Sequence, residues 1–216
     1  FISPHTDYKS VLVFYDPGLG KTLTGCYIVE QFKNIPVDGN PRQPAIILVP
    51  NEGIQKYWIN QIANVCTKNI YEPEFTEEEK ETEVKRAGRT KRLVEKTYII
   101  KTYDTFLKTL PNNPDLIRRE YSNRVIIIDE AHSLRDNQKK TKKRGKKQMN
   151  KENNDKRYDR IYEFLHNVEN CRIVLLTATP IWDKTSEIAS LMNLILPEED
   201  KLPSDKKFMN EYFTKD

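Results

Sequence analysis

The sequence predicts an α/β fold in which a mostly parallel β-sheet carries helices on both faces. Short, largely apolar runs at residues 10–15, 45–49, 98–101, 124–128 and 173–176 alternate with segments whose apolar residues recur at helical spacing. Because the runs are rich in β-branched residues and lack polar alternation, they are typical of strands buried on both faces. Polar motifs follow three of the runs, at the sheet edge where such folds place ligands.

Composition limits the classes of protein to which the chain can belong. Its 216 residues suit one α/β domain, and a charged fraction of 31% indicates that part of the length is solvated insertion. No apolar run approaches the roughly 18 residues of a membrane crossing, and no secretory signal pattern is present. The net charge of +4 does not by itself indicate nucleic acid. The isolated Cys26, Cys66 and Cys171 argue against zinc and disulfides and favour a reducing, intracellular compartment.

The first predicted strand leads into a glycine-rich turn, Pro17-Gly18-Leu19-Gly20-Lys21-Thr22, and a helix is predicted from Thr22. Glycines let the backbone approach oxygen atoms, and a helix N-terminus favours a phosphate. Lys21 would reach the β- and γ-phosphates, while the hydroxyl of Thr22 would bind Mg²⁺. Tyr15 stands where the usual pattern has a small residue, so a glycine-rich turn with an incidental Lys-Thr pair is the alternative.

The helix after this turn is predicted to end before Pro36. Its apolar side is expected to consist of six residues: Leu23, Cys26, Tyr27, Ile28, Val29 and Phe32.

Two adjacent carboxylates, Asp129 and Glu130, follow the fourth apolar run. Asp129 would orient Mg²⁺, and Glu130 would polarise the attacking water as a general base. His132 would either hydrogen-bond across to the Thr177-Ala178-Thr179 motif or cap the local turn, and both interpretations stay open. We expect the strand before the glycine turn and the strand before the acid pair to lie side by side, so that both motifs meet one magnesium–triphosphate.

Two charged segments interrupt the pattern. Residues 73–96 begin acidic and end basic, which suits a solvated helix. Residues 136–156 are rich in Lys and almost free of apolar side chains, so we expect a mobile insertion, with order returning at Tyr158. A nuclear-localisation-like patch and an auxiliary nucleic-acid contact are the alternatives, although no aromatic residues interleave to stack bases.

Taken in order, the motifs resemble those of the first motor domain of superfamily 2 helicases and translocases. The glycine turn resembles motif I, Ile47-Leu48-Val49-Pro50 motif Ia, Asp129-Glu130-Ala131-His132 the Asp-Glu-Ala-His form of motif II, and Thr177-Ala178-Thr179 motif III. The resemblance implies a RecA-like P-loop ATP-binding domain over residues 1–197. Residues 198–216 would begin the connection to a second RecA-like domain.

Finer features resemble Swi/Snf-type remodelling ATPases and, equally, the helicases of large cytoplasmic DNA viruses. They include Trp58 after motif Ia, the segment at residues 101–106, His132-Ser133-Leu134-Arg135-Asp136, and Thr179-Pro180-Ile181-Trp182-Asp183. Residues 1–6 together with Tyr8 favour the viral group, which includes the early-transcription-factor ATPase subunit and nucleoside triphosphatase I.

The resemblance implies ATP hydrolysis, with Mg²⁺, coupled to movement on DNA or RNA. Motifs Ia and Ib of the family contact the phosphate backbone, which would place Pro50, Asn51, Thr102 and Tyr103 near the nucleic acid. For Tyr103 the alternative is a buried aromatic at the start of a helix. The second domain of the family supplies an arginine finger, so this chain alone would turn ATP over weakly.

Two other functions fit the same residues. One is a P-loop ATPase that does not act on nucleic acid, and the other is an ATP-sensing module that does not hydrolyse. Glu130 counts against the sensor, because a binding module needs no carboxylate that activates water.

Overall fold

Five parallel strands form one sheet in the part of the chain that the computed structural model describes, residues 2–68, 70–71, 83–134, 146–181 and 187–203. Across the sheet their order is 1-5-4-2-3, numbered along the chain, and all neighbours pair in parallel. This confirms the predicted parallel α/β architecture. The strands are β1 (Ser10–Phe14), β2 (Ala45–Val49), β3 (Tyr98–Thr102), β4 (Val125–Ile128) and β5 (Arg172–Thr177).

Helices connect the strands and cover the sheet. Over the described residues they are α1 (Lys21–Phe32), α2 (Glu52–Gln61), α3 (Glu83–Glu95), α4 (Tyr103–Thr109), α5 (Pro114–Tyr121), α6 (Lys146–Asn167) and α7 (Glu187–Asn193). A π-helical turn, Ile62–Cys66, continues α2, and short 3-10 turns lie at Ala131–Leu134 and Glu198–Asp200. Within this part of the chain no helix has the length and apolar character that a membrane crossing requires.

The core has two layers, one on each face of the sheet. Alternate residues of a strand enter opposite layers: Ile47 packs in the layer that holds Trp58 of α2, whereas Ile46 packs with Phe106 of α4 and Phe164 of α6. Trp58, Phe106 and Phe164 are all almost fully buried. The uniformly apolar character of β2 follows from this double coverage, because either side of the strand faces apolar side chains.

Strand β5 lies between β1 and β4, so the predicted side-by-side arrangement of those two strands is wrong. Phe14 is opposite Thr177 in the pairing of β1 with β5, and Ile128 is opposite Leu175 in the pairing of β4 with β5. The two motif-bearing strands are therefore two strand spacings, about 10 Å, apart. Their carboxyl ends still meet at one edge of the sheet because all the strands run in the same direction.

Helix α1 buries a narrower face than the sequence suggests. Leu23 and Tyr27, which were expected on the apolar side, are 50% and 63% exposed. The buried residues of the helix are Gly25, Cys26, Ile28, Val29 and Phe32. A glycine therefore belongs to the packed face, because a Cβ there would lie within 3.3 Å of the side chains of Trp58, Ile127 and Leu176.

The two charged segments depart from expectation in different ways: the first contains the expected helix but is not wholly solvated, and the second is helical over its last part. In residues 73–96, helix α3 ends on the core, since Val94 is buried against the layer that contains Trp58. Helix α6 begins at Lys146, so the last part of the 136–156 segment is helical and order precedes Tyr158. Residues 72–82 and 135–145 lie outside the described residues, and so does the expected connection from residue 204 onward.

Candidate active site

The glycine turn is set by its backbone conformation. Gly18 and Gly20 have φ angles of +85° and +89°, a left-handed region that side chains disfavour. A Cβ would meet no atom at Gly18 and only Leu23 Cβ, at 4.0 Å, at Gly20, so conformation rather than space requires glycine. Helix α1 starts directly after Gly20 without a side-chain cap. The turn therefore presents backbone N–H groups and a helix N-terminus at the edge where β1 ends.

Lys21 and Thr22 occupy the first two positions of α1, and both are partly exposed. The Lys21 ammonium group donates to the carbonyl oxygen of Tyr15 at 3.2 Å, which brings it back over the turn. Its positive charge lowers the pKa of both Asp129 and Glu130, as a smaller contribution beside stronger ones. The positive charge of Lys21 and the two carboxylates thus interact electrostatically, although β5 separates the strands that carry them.

Asp129 follows β4 and is 6% exposed. Its Oδ2 atom accepts a hydrogen bond from Trp58 Nε1 at 2.7 Å, and its Oδ1 atom accepts one from the backbone N–H of Glu130 at 3.0 Å. Burial raises the pKa of Asp129, and the indole donor offsets part of that effect. The carboxylate is therefore fixed in direction, and its buried charge would be stabilised by a nearby cation.

The hydrogen bond from Trp58 to Asp129 is a contact within the candidate site that the sequence did not reveal. Trp58 is fully buried, and it occupies the space that the missing side chain of Gly25 leaves. A Cβ on Gly25 would lie 2.9 Å from Trp58 Cη2 and 3.1 Å from Ile127 Cδ1. The family resemblance singled out Trp58, but its partner lies 71 residues away, and no local pattern indicates that pairing.

Tyr103 is also fully buried, and its hydroxyl donates to the backbone carbonyl of Asp129 at 2.5 Å. Burial raises the pKa of this hydroxyl well above its ordinary value, so it remains a donor. The expected contact of the Tyr103 side chain with nucleic acid is therefore corrected, because a fully buried ring cannot reach a partner outside the domain. The alternative, a buried aromatic at the start of a helix, agrees with the burial.

Glu130 is held in a left-handed backbone conformation, with φ +52°. Its carbonyl accepts from the backbone N–H of Ser133 at 2.9 Å, which closes the turn after β4. Glu130 Oε2 lies 3.1 Å from His132 Nδ1, and this contact lowers the pKa of Glu130. The same oxygen is buried, and no donor among the described residues is aligned with it for a hydrogen bond. It can therefore accept one more proton donor.

His132 also links the acid pair to the end of β5. Its Nδ1 atom lies 3.1 Å from Thr177 Oγ1, in hydrogen-bond geometry. Thr177 is fully buried, and its hydroxyl accepts from the backbone N–H of Thr179 at 3.1 Å. Of the two interpretations left open for His132, the structure has the bond across to Thr177.

The remaining residues expected near nucleic acid lie at the starts of two helices. Asn51 caps α2, where its Oδ1 atom accepts from the backbone N–H of Ile54 at 3.0 Å. Thr102 caps α4 by accepting from the backbone N–H of Thr105 at 3.2 Å. Asn51 is exposed, whereas Pro50 and Thr102 are partly exposed. These residues follow or end β2 and β3, at the sheet edge that also carries the glycine turn and the acid pair.

The sequence profile of the SNF2-related domain matches residues 2–215, nearly the whole chain. The chain belongs to the SNF2-related domain family. This membership confirms the resemblance drawn from the motifs.

Viral proteins are among the relatives of this SNF2-related domain. Protein 087L of Invertebrate iridescent virus 3, which carries a helicase name, is 32% identical over 203 residues, 91% of this chain. Protein 009L of Frog virus 3 (isolate Goorha), also named a helicase, is 30% identical over 213 residues, 97% of this chain. The matches cover 19% and 20% of those proteins, so the chain spans about a fifth of their length.

A solved structure supports the fold. The SWI2/SNF2 ATPase core of Sulfolobus solfataricus, solved in complex with double-stranded DNA, aligns with a TM-score of 0.54 at 21% identity. The alignment covers 93% of this chain and 34% of the other. It shows that the SNF2-related domain has the RecA-like helicase-core fold that the motifs implied.

The site of this SNF2-related domain combines an open half and a buried half. The open half offers N–H donors and the Lys21 ammonium group, which suit phosphate oxygens. The buried half offers one fixed carboxylate, Asp129, and one carboxylate with an unused acceptor atom, Glu130. Anion-binding donors beside hard oxygen ligands are the groups that phosphoryl transfer requires.

Proposed function

We propose that this SNF2-related domain is the ATP-binding N-terminal half of a nucleic-acid-dependent ATPase, which couples ATP hydrolysis to movement on DNA or RNA. The single observation that supports this most directly is geometric: the glycine turn after β1 and the acid pair after β4 lie at the same edge of one parallel sheet, on either side of β5. One triphosphate bound at the glycine turn would therefore extend toward Asp129 and Glu130.

The glycine turn is the proposed phosphate-binding segment. Pro17 precedes the first glycine and Leu19 separates the two, whose positive φ angles turn the backbone. The backbone N–H of Leu19 donates to the carbonyl oxygen of Asp16 at 3.2 Å. The Lys21 ammonium group would leave the Tyr15 carbonyl and pair with the β- and γ-phosphates, since a charge-assisted bond is stronger than a bond to a neutral carbonyl.

The proposed ligands of Mg²⁺ are the Thr22 hydroxyl and the Asp129 carboxylate. Both are hard oxygen donors of the kind that Mg²⁺ prefers, and the burial that raises the pKa of Asp129 makes a neighbouring cation favourable. When bound, the ion would neutralise charge that develops on the phosphates. Thr22 lies in the first turn of α1 while Asp129 directly follows β4, so this pair would join the two halves of the site.

Glu130 is the proposed group that orients and polarises the attacking water. The contact with His132 lowers its pKa, so the carboxylate is ionised at neutral pH and ready to accept a hydrogen bond. A lowered pKa also makes it a weak base, and we infer that its main contribution is to position the water. Oε2 is the acceptor that water would use, because no other donor is aligned with it in the described structure.

Nucleic acid is the proposed partner at the starts of α2 and α4. Pro50, Asn51 and Thr102 lie at the edge where the helix N-termini favour phosphate groups. Support comes from the relatives named as helicases and from the neighbour solved with double-stranded DNA. A second RecA-like domain in the full-length protein would complete the site, and the viral relatives favour a viral setting.

ATP turnover by the full-length protein, with and without DNA or RNA, tests the proposal. Stimulation by nucleic acid supports it. Equal turnover in both conditions would instead identify an ATPase that does not act on nucleic acid. ATP binding without any turnover would identify a sensor. Titration with salt provides a second check, because backbone contacts weaken steeply as the salt concentration rises.

A further inference from the structure

Two buried aromatic side chains from different helices hydrogen-bond to Asp129. Trp58 of α2 holds the carboxylate through Nε1, at 2.7 Å from Oδ2, while Tyr103 of α4 holds the backbone carbonyl through its hydroxyl, at 2.5 Å. Both rings are fully buried. One residue is thus fixed at its side chain and at its main chain by two elements that share no sequence motif with it.

Each of these helices begins at a residue proposed to meet nucleic acid. Helix α2 is capped by Asn51, seven residues before Trp58, a distance of about 10 Å along the helix axis. Helix α4 is capped by Thr102, the residue directly before Tyr103. The side chain of Gln55 in α2 donates to the carbonyl of Ile100 at 2.7 Å, which ties the first part of α2 to β3, the strand that ends at Thr102.

The indole ring of Trp58 has little room to absorb a displacement of α2. The absent side chain of Gly25 lets α1 close on the ring, where a single methyl group would already lie 2.9 Å from Trp58 Cη2. Tightly packed groups transmit displacement rather than damping it. A shift of α2 would therefore reach the Asp129 carboxylate through the hydrogen bond from Nε1.

We propose that Trp58 and Tyr103 are positioning residues that connect nucleic-acid contact at the starts of α2 and α4 to the Mg²⁺-binding geometry of Asp129. The inference rests on the proposed function and adds a route by which bound nucleic acid would regulate the geometry of the Mg²⁺ site. Neither residue touches the nucleotide; both act through Asp129. Loss of such a supporting hydrogen bond is expected to reduce metal affinity or activity by about 10- to 100-fold.

The test uses Trp58→Phe and Tyr103→Phe in the full-length protein, each of which removes a donor and keeps an aromatic ring. The first measurement is binding of a non-hydrolysable ATP analogue by calorimetry across a Mg²⁺ titration. We expect Trp58→Phe to need about 10-fold more Mg²⁺ for the same affinity, with binding in chelator unchanged. The second measurement is ATP turnover with and without nucleic acid, and we expect both variants to lose about 10-fold of the stimulation.

Tyr98→Phe is the matched control. Tyr98 is as buried as Tyr103, but its hydroxyl donates to Glu30 and not to Asp129. We expect wild-type Mg²⁺ dependence and stimulation from this variant. Wild-type values in Trp58→Phe and Tyr103→Phe as well would overturn the inference, and so would equal losses in Tyr98→Phe.

The outcomes separate this inference from the proposed function. If nucleic acid stimulates no form of the protein, the proposed function fails. The Mg²⁺ titration would still measure whether the hydrogen bonds from Trp58 and Tyr103 to Asp129 affect metal binding. If Trp58→Phe does not fold, Tyr103→Phe decides, because it removes a single oxygen atom and leaves the ring packing intact.

Discussion

The glycine turn and the acid pair reach the same edge of the sheet by different means. The turn is fixed by its own backbone, through the positive φ angles of Gly18 and Gly20, and its lysine is partly exposed. The acid pair is fixed by distant side chains: Asp129 by Trp58, 71 residues away, and by Tyr103, 26 residues away. Local sequence therefore specifies the turn, whereas tertiary packing specifies how the acids point.

Lys21→Ala should have the largest effect and would isolate the open half of the site. Removing the ammonium group deletes the charge that we propose pairs with the phosphates, so we expect ATP affinity to fall by at least about 100-fold. The melting temperature should hardly change, since the group is partly exposed and bonded only to the Tyr15 carbonyl in the described structure. Calorimetry and thermal melting measure both, with the exposed Lys108→Ala as control. Unchanged ATP affinity would refute the assignment.

Glu130→Gln should separate chemistry from binding in the buried half. The amide keeps the size of the side chain but removes the negative charge proposed to orient and polarise the attacking water, so we expect turnover by the full-length protein to fall by about 100-fold or more. ATP affinity should stay within a few-fold of wild type, because Glu130 is not one of the groups proposed to bind the phosphates. Glu120→Gln, at an exposed position, controls for loss of one charge. Wild-type turnover would reject the proposed role.

Thr177→Val should test the connection between the two halves through β5. Valine keeps the shape of the side chain but removes the hydroxyl that bonds to His132 and accepts from Thr179 N–H. We expect a stability loss of about 1–3 kcal/mol, because a backbone donor loses its partner, and about a 10-fold drop in stimulated turnover. Thr177→Ser restores the hydroxyl and should recover turnover. If serine fails to rescue, packing rather than hydrogen bonding explains the threonine.

Gly25→Ala should have a smaller effect, on stability. Alanine favours a helix by about 1 kcal/mol over glycine, but here the new methyl group would crowd Trp58, and overpacking costs about 1–3 kcal/mol. Gly88→Ala in α3 is the matched control, since a Cβ there meets no atom within 4 Å. We expect the first variant to melt lower than wild type and the second to melt slightly higher. A higher melting temperature for both would show that Trp58 is loosely packed.

The sequence predicted the strands and the glycine turn well because both depend on local physics. Uniformly apolar runs indicate double coverage, and the glycine spacing indicates a turn that other residues disfavour. It failed on the position of β5, because strand order depends on which helices pack on which face. It also predicted Leu23 and Tyr27 on the buried face of α1 and did not include Gly25 there, because helical periodicity does not report how closely a neighbouring helix approaches.

Within the candidate site, the sequence pointed to the residues proposed to react but not to the side chains that hold them in place. Lys21, Asp129 and Glu130 sit in recognisable local patterns. The roles of Trp58 and Tyr103 could not be inferred, since a buried aromatic with a polar function has the same sequence pattern as an ordinary core residue.

The contact between Gly25 and Trp58 has an evolutionary consequence. Because one position has no side chain and the other fills that space with an indole, neither can change in size alone without a steric penalty. Homologous chains that carry alanine or serine at the first position should carry a smaller ring at the second, and the two columns of a family alignment should vary together.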